Sequence, residues 1–272
     1  MKLSIFQIDA FTNRPFGGNP AAVVPLDAWL PDDIMQNIAL ENNLSETAFF
    51  VRQDDGYGLR WFTPTFEIDL CGHATLATAF VLFDQLGGTE PVLRFHSKSG
   101  MLTVERDGDK LVLDFPSRPA ARADAPEGLV AAIGREPIEI YRSRDYMLVY
   151  ESEDDIRSIS PDFSSLAKIR THAVIVTAPG EECDFVSRFF APEAGINEDP
   201  VTGSAHCNLI PFWAEKLGKT EMFARQLSSR GGELFCKHAG ERVKIGGHAT
   251  LYLKGEIFIE VSSQSSRSAQ SI

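Results

Sequence analysis

The chain is poor in cysteine and lacks long apolar stretches. Its 272 residues include 4 cysteines, namely Cys71, Cys183, Cys207 and Cys236, without a Cys-x-x-Cys pair. Such sparse cysteines argue against a disulfide framework and for reduced thiols. The first ten residues alternate like a strand, so they predict neither a signal peptide nor a membrane span. We therefore expect a cytoplasmic protein with no membrane partner.

Basic residues are also scarce, because 26 Lys and Arg stand against 38 Asp and Glu and give a formal net charge of -12. Nucleic acid would need a basic face to displace its counterions, so we expect no nucleic-acid partner. No Gly-x-Gly-x-x-Gly fingerprint or phosphate loop follows a predicted strand, which leaves dinucleotide and nucleotide cofactors without support. The expected partner is a small molecule.

Two parts of the sequence repeat each other at one fixed offset. Gly72 and Gly203 each open an apolar helical segment, and Gly87 and Gly218 end the two segments. The offset is constant, since 203 minus 72 and 218 minus 87 both give 131. The repeat predicts two related lobes with a cleft between them, which is the natural place for a site.

The predicted fold class is α+β. Each lobe should wrap a mostly antiparallel, barrel-like sheet around one central apolar helix, Gly72 to Leu86 in the first lobe and Gly203 to Leu217 in the second. Shorter helices are predicted at 31–42 and 128–133. Strands are predicted at 1–10, 47–51, 59–63, 92–95, 102–105, 111–115, 146–150, 173–177, 185–190 and within 232–259.

The sequence also indicates domain boundaries. An N-terminal lobe is expected over 1–116 and a C-terminal lobe over 127–261. The intervening segment 117–126 is rich in Pro, Ala and Arg, as linkers often are. The serine-rich tail 262–272 lacks apolar anchors and is expected to be disordered.

Glu46 is a candidate acid/base. It lies between a predicted helix end and a strand, and the large apolar residues Phe49 and Phe50 follow closely. A carboxyl group withdrawn from water in this way is suited to taking up a proton and returning it. The alternative is a solvated glutamate at the start of a strand, which is the commoner situation.

The two helix openings are candidate carboxylate-binding sites. Backbone N-H groups at a helix start attract anions, and Gly72 and Gly203 allow a ligand to come close. The alternative is that Asp69 and Asp199 merely cap the helices. Duplication favours a ligand site, because the repeated motif varies at its polar positions.

Those polar positions also raise the question of zinc. Cys71 with His73, and His206 with Cys207, carry side chains that zinc prefers. Residues 206 and 207 are adjacent and leave a helix about 100° apart, which makes joint ligation of one ion difficult. We expect no metal, and Cys207 and Cys236 should be buried structural residues.

Five motifs in order along residues 1–260 resemble the phenazine-biosynthesis PhzF-like isomerase family. The resemblance implies the two-lobed fold of diaminopimelate epimerase, usually in a homodimer. It also implies a cofactor-free isomerisation like that of trans-2,3-dihydro-3-hydroxyanthranilate. The motifs are Phe16-Gly-Gly-Asn-Pro-Ala-Ala-Val, Asn43-Leu-Ser-Glu-Thr-Ala-Phe, Asp69-Leu-Cys-Gly-His-Ala-Thr, Asp199-Pro-Val-Thr-Gly-Ser-Ala-His and Ser229-Arg-Gly-Gly-Glu.

The resemblance assigns roles to site residues. Glu46 would be the general acid/base of a proton shift in a small carboxylic acid. His73, Asp199 and Ser204 would orient the substrate and assist the shift. Substrate-binding positions would be Gly72 and Gly203, with the flanking Cys71 and Thr202.

Two alternatives remain open. Related epimerases and racemases use two thiols, but here Cys71 is duplicated as Thr202, and a hydroxyl is too weak a base unaided. An epimerase using Glu46 or Cys71 with another partner is the second enzymatic interpretation. A binding protein that kept the fold and lost turnover is the third.

Overall fold

The computed structural model describes residues 1–260, so the predicted tail 262–272 lies outside the described residues. Strands of a large mixed sheet alternate with a few helices, which confirms the α+β class. The first nine strands are β1 (Lys2–Ala10), β2 (Asn19–Leu26), β3 (Glu46–Gln53), β4 (Gly56–Phe62), β5 (Glu67–Ile68), β6 (Val92–Ser97), β7 (Gly100–Asp107), β8 (Lys110–Pro116) and β9 (Ala121–Arg122).

The remaining strands of the described part follow a similar order. They are β10 (Glu139–Arg142), β11 (Tyr146–Val149), β12 (Val174–Pro179), β13 (Phe185–Ala191), β14 (Ile196–Asp199), β15 (Glu221–Gln226), β16 (Gly232–Ala239), β17 (Arg242–Gly247) and β18 (Ala249–Phe258). The α-helices are α1 (Asp32–Asn42), α2 (Gly72–Phe80), α3 (Leu129–Ile133), α4 (Glu153–Ser158), α5 (Phe163–Leu166) and α6 (Gly203–Leu217).

The sequence repeat is visible in how the strands pair. In the first set β2 and β3 are parallel, β3 and β4 antiparallel, and β4 and β6 parallel. In the second set β11 and β12 are parallel, β12 and β13 antiparallel, and β13 and β15 parallel. Antiparallel β6, β7 and β8 correspond to antiparallel β15, β16 and β17. The mostly antiparallel sheet follows the prediction, and the matching order supports a duplicated ancestor.

The chain crosses between the two sets of strands twice. After β8, the short strand β9 pairs with β10 of the second set. After β17, the long strand β18 pairs with β1 of the first set from Lys2 opposite Phe258 to Ala10 opposite Ala249. β8 and β17 pair with each other and join the sets. In space, β18 therefore belongs with strands β1 to β8, and β9 belongs with the second set. The linker at 117–126 stays a prediction.

Helices α2 and α6 lie inside the strands, as their apolar sequences predict. Eight of the nine residues of α2 are buried, and the helix continues in a π-helical turn, Val81–Gln85. Ten of the fifteen residues of α6 are buried. Small residues such as Ala74, Ala77 and Ala205 let the surrounding strands pack closely on these helices. The predicted ends of both helices are confirmed to within one residue.

Other elements differ from the prediction. Strands β2, β5, β9, β10, β14 and β15 and helices α4 and α5 were not predicted from the sequence. Helices α4 and α5 have six and four residues, and helices this short do not produce a recognisable periodic pattern of apolar residues. Among residues 1–260, no helix combines the length and apolar character that a membrane crossing requires.

Candidate active site

The two duplicated helix openings meet at the centre of the molecule. A Cβ atom added to Gly72 would lie 3.2 Å from the Cα of Gly203, and one added to Gly203 would lie 3.3 Å from the Cα of Gly72. Only two glycines allow the backbones to come this close. The fold thus brings together two regions that are far apart in sequence.

The amides of both openings lack side-chain caps. The residues that precede the helices are Cys71 and Thr202, and neither makes a side-chain capping hydrogen bond. Asp69 and Asp199 are therefore not the caps of these helices, contrary to the simpler alternative. Uncapped N-H groups and two helix dipoles give this region a positive potential.

A cavity of about 480 Å³ opens beside the helix starts. Its size suits a small organic acid. All the predicted site residues line it, namely Glu46, Cys71, Gly72, His73, Asp199, Thr202, Gly203 and Ser204. This placement brings them together, but their chemical roles stay predictions.

Glu46 is the first residue of β3 and lies opposite Ala21 of β2. Its side chain is 9% exposed, so the solvated alternative is wrong for its location. Glu46 Oε2 is 2.9 Å from His73 Nε2. The approach is out of line for a hydrogen bond, and within the described residues Oε2 has no other partner. A buried carboxylate oxygen with free lone pairs thus lies in the wall of the cavity.

His73 is held between two side chains. Its Nδ1 is 3.1 Å from Asn19 Nδ2, and Nδ2 also donates to Asp199 Oδ1 at 2.8 Å. Nδ2 also donates to the Val201 carbonyl at 2.9 Å, so both of its hydrogens already have acceptors and it does not fix which nitrogen of the His73 ring carries a proton. Burial lowers the pKa of His73, whereas Cys71 and Glu46 raise it to well above the ordinary value. The raised pKa favours the imidazolium, in which Nε2, the ring nitrogen 2.9 Å from Glu46 Oε2, carries a proton.

Asp199 belongs to a buried network on the second helix opening. Its Oδ2 accepts a hydrogen bond from the Thr202 hydroxyl. Gln226 Nε2 donates to the Asp199 carbonyl at 2.8 Å, and Gln226 Oε1 accepts from the Thr202 amide at 2.8 Å. Burial raises the pKa of Asp199 to about 6, although His73 acts in the opposite direction. Asp199 can therefore change its charge near neutral pH.

Cys71 and Ser204 complete the polar lining. Cys71 Sγ lies 3.5 Å from His73 Nδ1. Burial, followed by the charge of Glu46, raises the pKa of the Cys71 thiol to about 11, so at neutral pH it stays a thiol. Ser204 is half-buried and occupies in α6 the position that His73 occupies in α2. One copy therefore offers an imidazole where the other offers a hydroxyl.

Glu46, Cys71 and His73 are also a geometric candidate for a metal site, because their ligand atoms lie within 4.8 Å of one another. Zinc would need the lone pair of His73 Nε2 and a Cys71 thiolate. The raised pKa of His73 favours a protonated ring, and burial opposes ionisation of the Cys71 thiol. His206 of the other candidate pair donates from Nδ1 to the Thr202 carbonyl at 2.9 Å, so this nitrogen has no lone pair for a metal ion. These donors fit proton chemistry better than metal binding.

Several cavity or network residues were missed from the sequence. Asn19 stands in the first of the five motifs without an assigned role, and Gln226 carries no local motif. Arg118, Arg144 and His172 line the cavity from loops. Loop residues join a site through tertiary contacts, so the sequence has no periodic signal for them.

Comparison with known proteins places the chain in context. The family model described as phenazine biosynthesis-like protein, PhzC-PhzF, matches residues 8–255. An uncharacterized isomerase of Pseudomonas aeruginosa is 52% identical over 259 residues, which cover 95% of this chain and 100% of that protein. The human phenazine biosynthesis-like domain-containing protein is 42% identical and covers 94% of this chain and 99% of its own length.

A solved structure shows the same fold. The crystal structure of a phenazine biosynthesis protein of the PhzF family from Enterococcus faecalis superposes with a TM-score of 0.93 at 50% identity. The match covers 95% of this chain and 100% of that one. The resemblance inferred from the five motifs is thus confirmed over nearly the whole chain.

Proposed function

Because this chain belongs to the phenazine biosynthesis-like, PhzC-PhzF family, we propose that it is an isomerase that moves a proton within a small unsaturated carboxylic acid. One observation carries the proposal. A buried carboxylate oxygen of Glu46, without a directed hydrogen-bond donor, lies in a cavity beside two uncapped helix starts. Such an oxygen is available to accept a proton.

The helix starts supply the binding half of the reaction. A substrate carboxylate placed at Gly72 and Gly203 would accept hydrogen bonds from first-turn amides and lie at the positive ends of two helix dipoles. Ser204 can add a hydroxyl donor from the wall of the cavity. Binding there would hold the carbon skeleton over Glu46, and cyclic or open-chain acids both fit a cavity of this size.

The chemical step needs one base and preorganised donors. Glu46 would remove a proton from a carbon next to the unsaturated system, and the electron pair would spread into that system. The amides would stabilise the charge that develops. Glu46, now protonated, would return the proton to another carbon on the same face, so the net change is a shift of the double bond.

The neighbouring side chains support this cycle. The positive charge of the His73 ring, whose Nε2 lies 2.9 Å from Glu46 Oε2, stabilises the Glu46 carboxylate whenever Glu46 has given up its proton. Asn19 links His73 to Asp199, so the two halves of the site are held in one arrangement. We propose His73, Asp199 and Ser204 as groups that orient the substrate and assist the transfer. The cycle requires no metal or organic cofactor.

The relatives support an isomerase, since the Pseudomonas aeruginosa protein carries that name. Two-thiol racemisation has less support. Thr202 stands where a second thiol would be, and its hydroxyl already donates to Asp199. An epimerase that pairs Glu46 with Cys71 remains the second candidate, because both side chains line the same cavity.

The test is proton exchange in deuterated water. The protein is incubated with α,β- and β,γ-unsaturated acids, including trans-2,3-dihydro-3-hydroxyanthranilate, and with chiral amino and hydroxy acids, and products are followed by NMR and chiral chromatography. A moved double bond with deuterium at the new position supports the proposal. Inversion of a chiral carbon without a moved double bond favours the epimerase. Exchange with none of these acids, despite binding, favours a binding protein.

A further inference from the structure

The cavity has walls of different charge. On the side of the first strand set, Glu67 is neutralised by Arg60 and Lys98, at 2.7 and 2.6 Å. Asp69 lies exposed at the mouth on the same side. On the side of the second set, Arg118 and Arg144 are the arginines of the lining, His172 lies beside them, and Asp199 is the carboxylic acid of that side. A ligand in the cavity therefore meets two arginines from the second set, whereas Glu46 belongs to β3 of the first set.

Arg118 is fixed in place by the helix behind it. Pro211 has no N-H, so the carbonyl of Cys207, four residues earlier in α6, loses its usual helical donor. The backbone N-H of Arg118 fills that vacancy at 2.9 Å. The position of Arg118 is thus set by its backbone, while its side chain lines the cavity. No carboxylate of residues 1–260 forms an ion pair with it.

Arg144 is oriented by a chain of side chains. Buried Asp145 accepts from His172 Nδ1 at 2.8 Å. The other ring nitrogen, Nε2, contacts Arg144 Nη2, and because a guanidinium can only donate, Nε2 must be the acceptor. Ser143 in the same loop bonds Asn208 of α6. Asp145 reaches Arg144 only through the His172 ring, so among residues 1–260 neither Arg144 nor Arg118 forms an ion pair with a carboxylate.

We propose that Arg118, assisted by Arg144, binds a second anionic group of the substrate, so that the substrate is a small dicarboxylic acid. This inference rests on the proposed function, which places the first carboxylate at the helix starts. A guanidinium can form two parallel hydrogen bonds with a carboxylate, and its planar fork loses less freedom for each bond formed than a lysine side chain does. It also offsets the repulsion between a dianion and the buried carboxylates of Glu46 and Asp199.

The test compares acids that differ in one carboxylate. Succinate, glutarate and adipate are titrated calorimetrically against butyrate, valerate and hexanoate of equal carbon number. For at least one length, the dicarboxylate should bind wild type about tenfold to a hundredfold more tightly, the range expected for a hydrogen bond between charged groups. Arg118→Gln should abolish this preference and leave monocarboxylate binding unchanged. Arg94→Gln, which removes an equal charge from an exposed position of β6 outside the cavity, should retain it.

Three results would overturn the inference. They are equal binding of both classes at every length, equal weakening of both classes in Arg118→Gln, and failure of all six acids to bind at millimolar concentration. Thermal unfolding of Arg118→Gln shows whether the variant is folded, and Arg118→Lys, which keeps the charge, should restore part of the preference. The titration needs no turnover. If the preference is present but exchange in deuterated water is not, the proposed function fails and the dicarboxylate site stands. If exchange in deuterated water is present but the preference for dicarboxylates is not, the proposed function stands and the dicarboxylate site fails.

Discussion

Asp199 is a carboxyl group that the fold holds largely away from water. Two donors, Asn19 and Thr202, satisfy its oxygens, yet burial outweighs them and its pKa is raised from 3.8 to about 6. Ionised Asp199 therefore lowers the free energy of unfolding. Retention of such a group is typical of functional sites, where stability is given up for chemistry.

Replacing Asp199 by asparagine should stabilise the protein at neutral pH. Below pH 3.8 the carboxyl is protonated in both states and has no effect. Between pH 3.8 and about 6 the unfolded chain loses its proton first, so stability falls, and above about pH 6 the full loss remains. A shift of this size corresponds to about 3 kcal/mol, of which the rearranged Thr202 hydrogen bond removes about 1 kcal/mol.

We expect Asp199→Asn to raise the free energy of unfolding by roughly 2 kcal/mol at about pH 7.5 and to lose this advantage by about pH 4. Urea unfolding at the two pH values measures it, with wild type as the reference. An advantage that is the same at both pH values, or a variant less stable than wild type at about pH 7.5, would contradict the raised pKa.

Some individual residues of the site could be predicted from the sequence. Glu46 could be singled out because large apolar residues follow it, and His73 and Ser204 because they differ within a repeat. Asn19 and Gln226 could not be found in this way, since each acts through contacts with residues distant in sequence. The same is true of Arg118, whose place depends on a proline in another element.

Helices α2 and α6 are the elements that build the site. Both are predictable from sequence, because a long, nearly all-apolar segment that begins and ends with glycine has few other solutions. The contact between Gly72 and Gly203 could not be predicted, because the local sequence of a helix does not indicate which other backbone the helix contacts. Strand β2 was missed because its two prolines, Pro20 and Pro25, are atypical of strands. Strands β5, β9, β10, β14 and β15 were missed because short strands resemble loops in their local sequence.

A side chain at Gly72 should disturb the meeting of the two helices. An added Cβ lies 3.2 Å from the Cα of Gly203, closer than the backbone tolerates without moving. We expect Gly72→Ala to lower the free energy of unfolding by about 1–3 kcal/mol through overpacking, and to weaken carboxylate binding as the amides separate. Urea unfolding and calorimetric titration measure the two effects.

Gly255→Ala is the matched control for this change. A Cβ there has its nearest neighbour, Leu253, at 3.7 Å, which is ordinary contact distance. Its effect on unfolding should be smaller, and its effect on carboxylate binding absent. If Gly72→Ala and Gly255→Ala behave alike in both measurements, close approach of the helix starts is not required for the site.

Two strands connect the halves of the molecule, because each pairs with a strand from the other half of the sequence. β18 pairs with β1 along its full length, and β9 pairs with β10. The sequence repeat predicts two related halves, but not this exchange, because strand pairing partners are not encoded in local periodicity. A homodimer and a cytoplasmic location remain predictions.

The exchange implies that the first half does not fold alone. A fragment of residues 1–120 lacks β18, so one edge of β1 and part of the first apolar core would be exposed. We expect this fragment to show no cooperative thermal unfolding by circular dichroism. Coexpression with residues 121–260 should restore a cooperative transition and the proton exchange of the full chain. Cooperative unfolding of the isolated fragment near the midpoint of the full chain would contradict this account.

The central claim is that Glu46 takes up and returns the transferred proton. Once an acid that exchanges is found, its rate of deuterium incorporation is measured by NMR for wild type and for Glu46→Gln, which keeps the shape of the side chain and removes the base. General acid/base catalysis contributes about 10²- to 10⁴-fold, so we predict a loss of that size in kcat with carboxylate affinity changed little. Equal rates of deuterium incorporation in the two proteins would show that another group moves the proton.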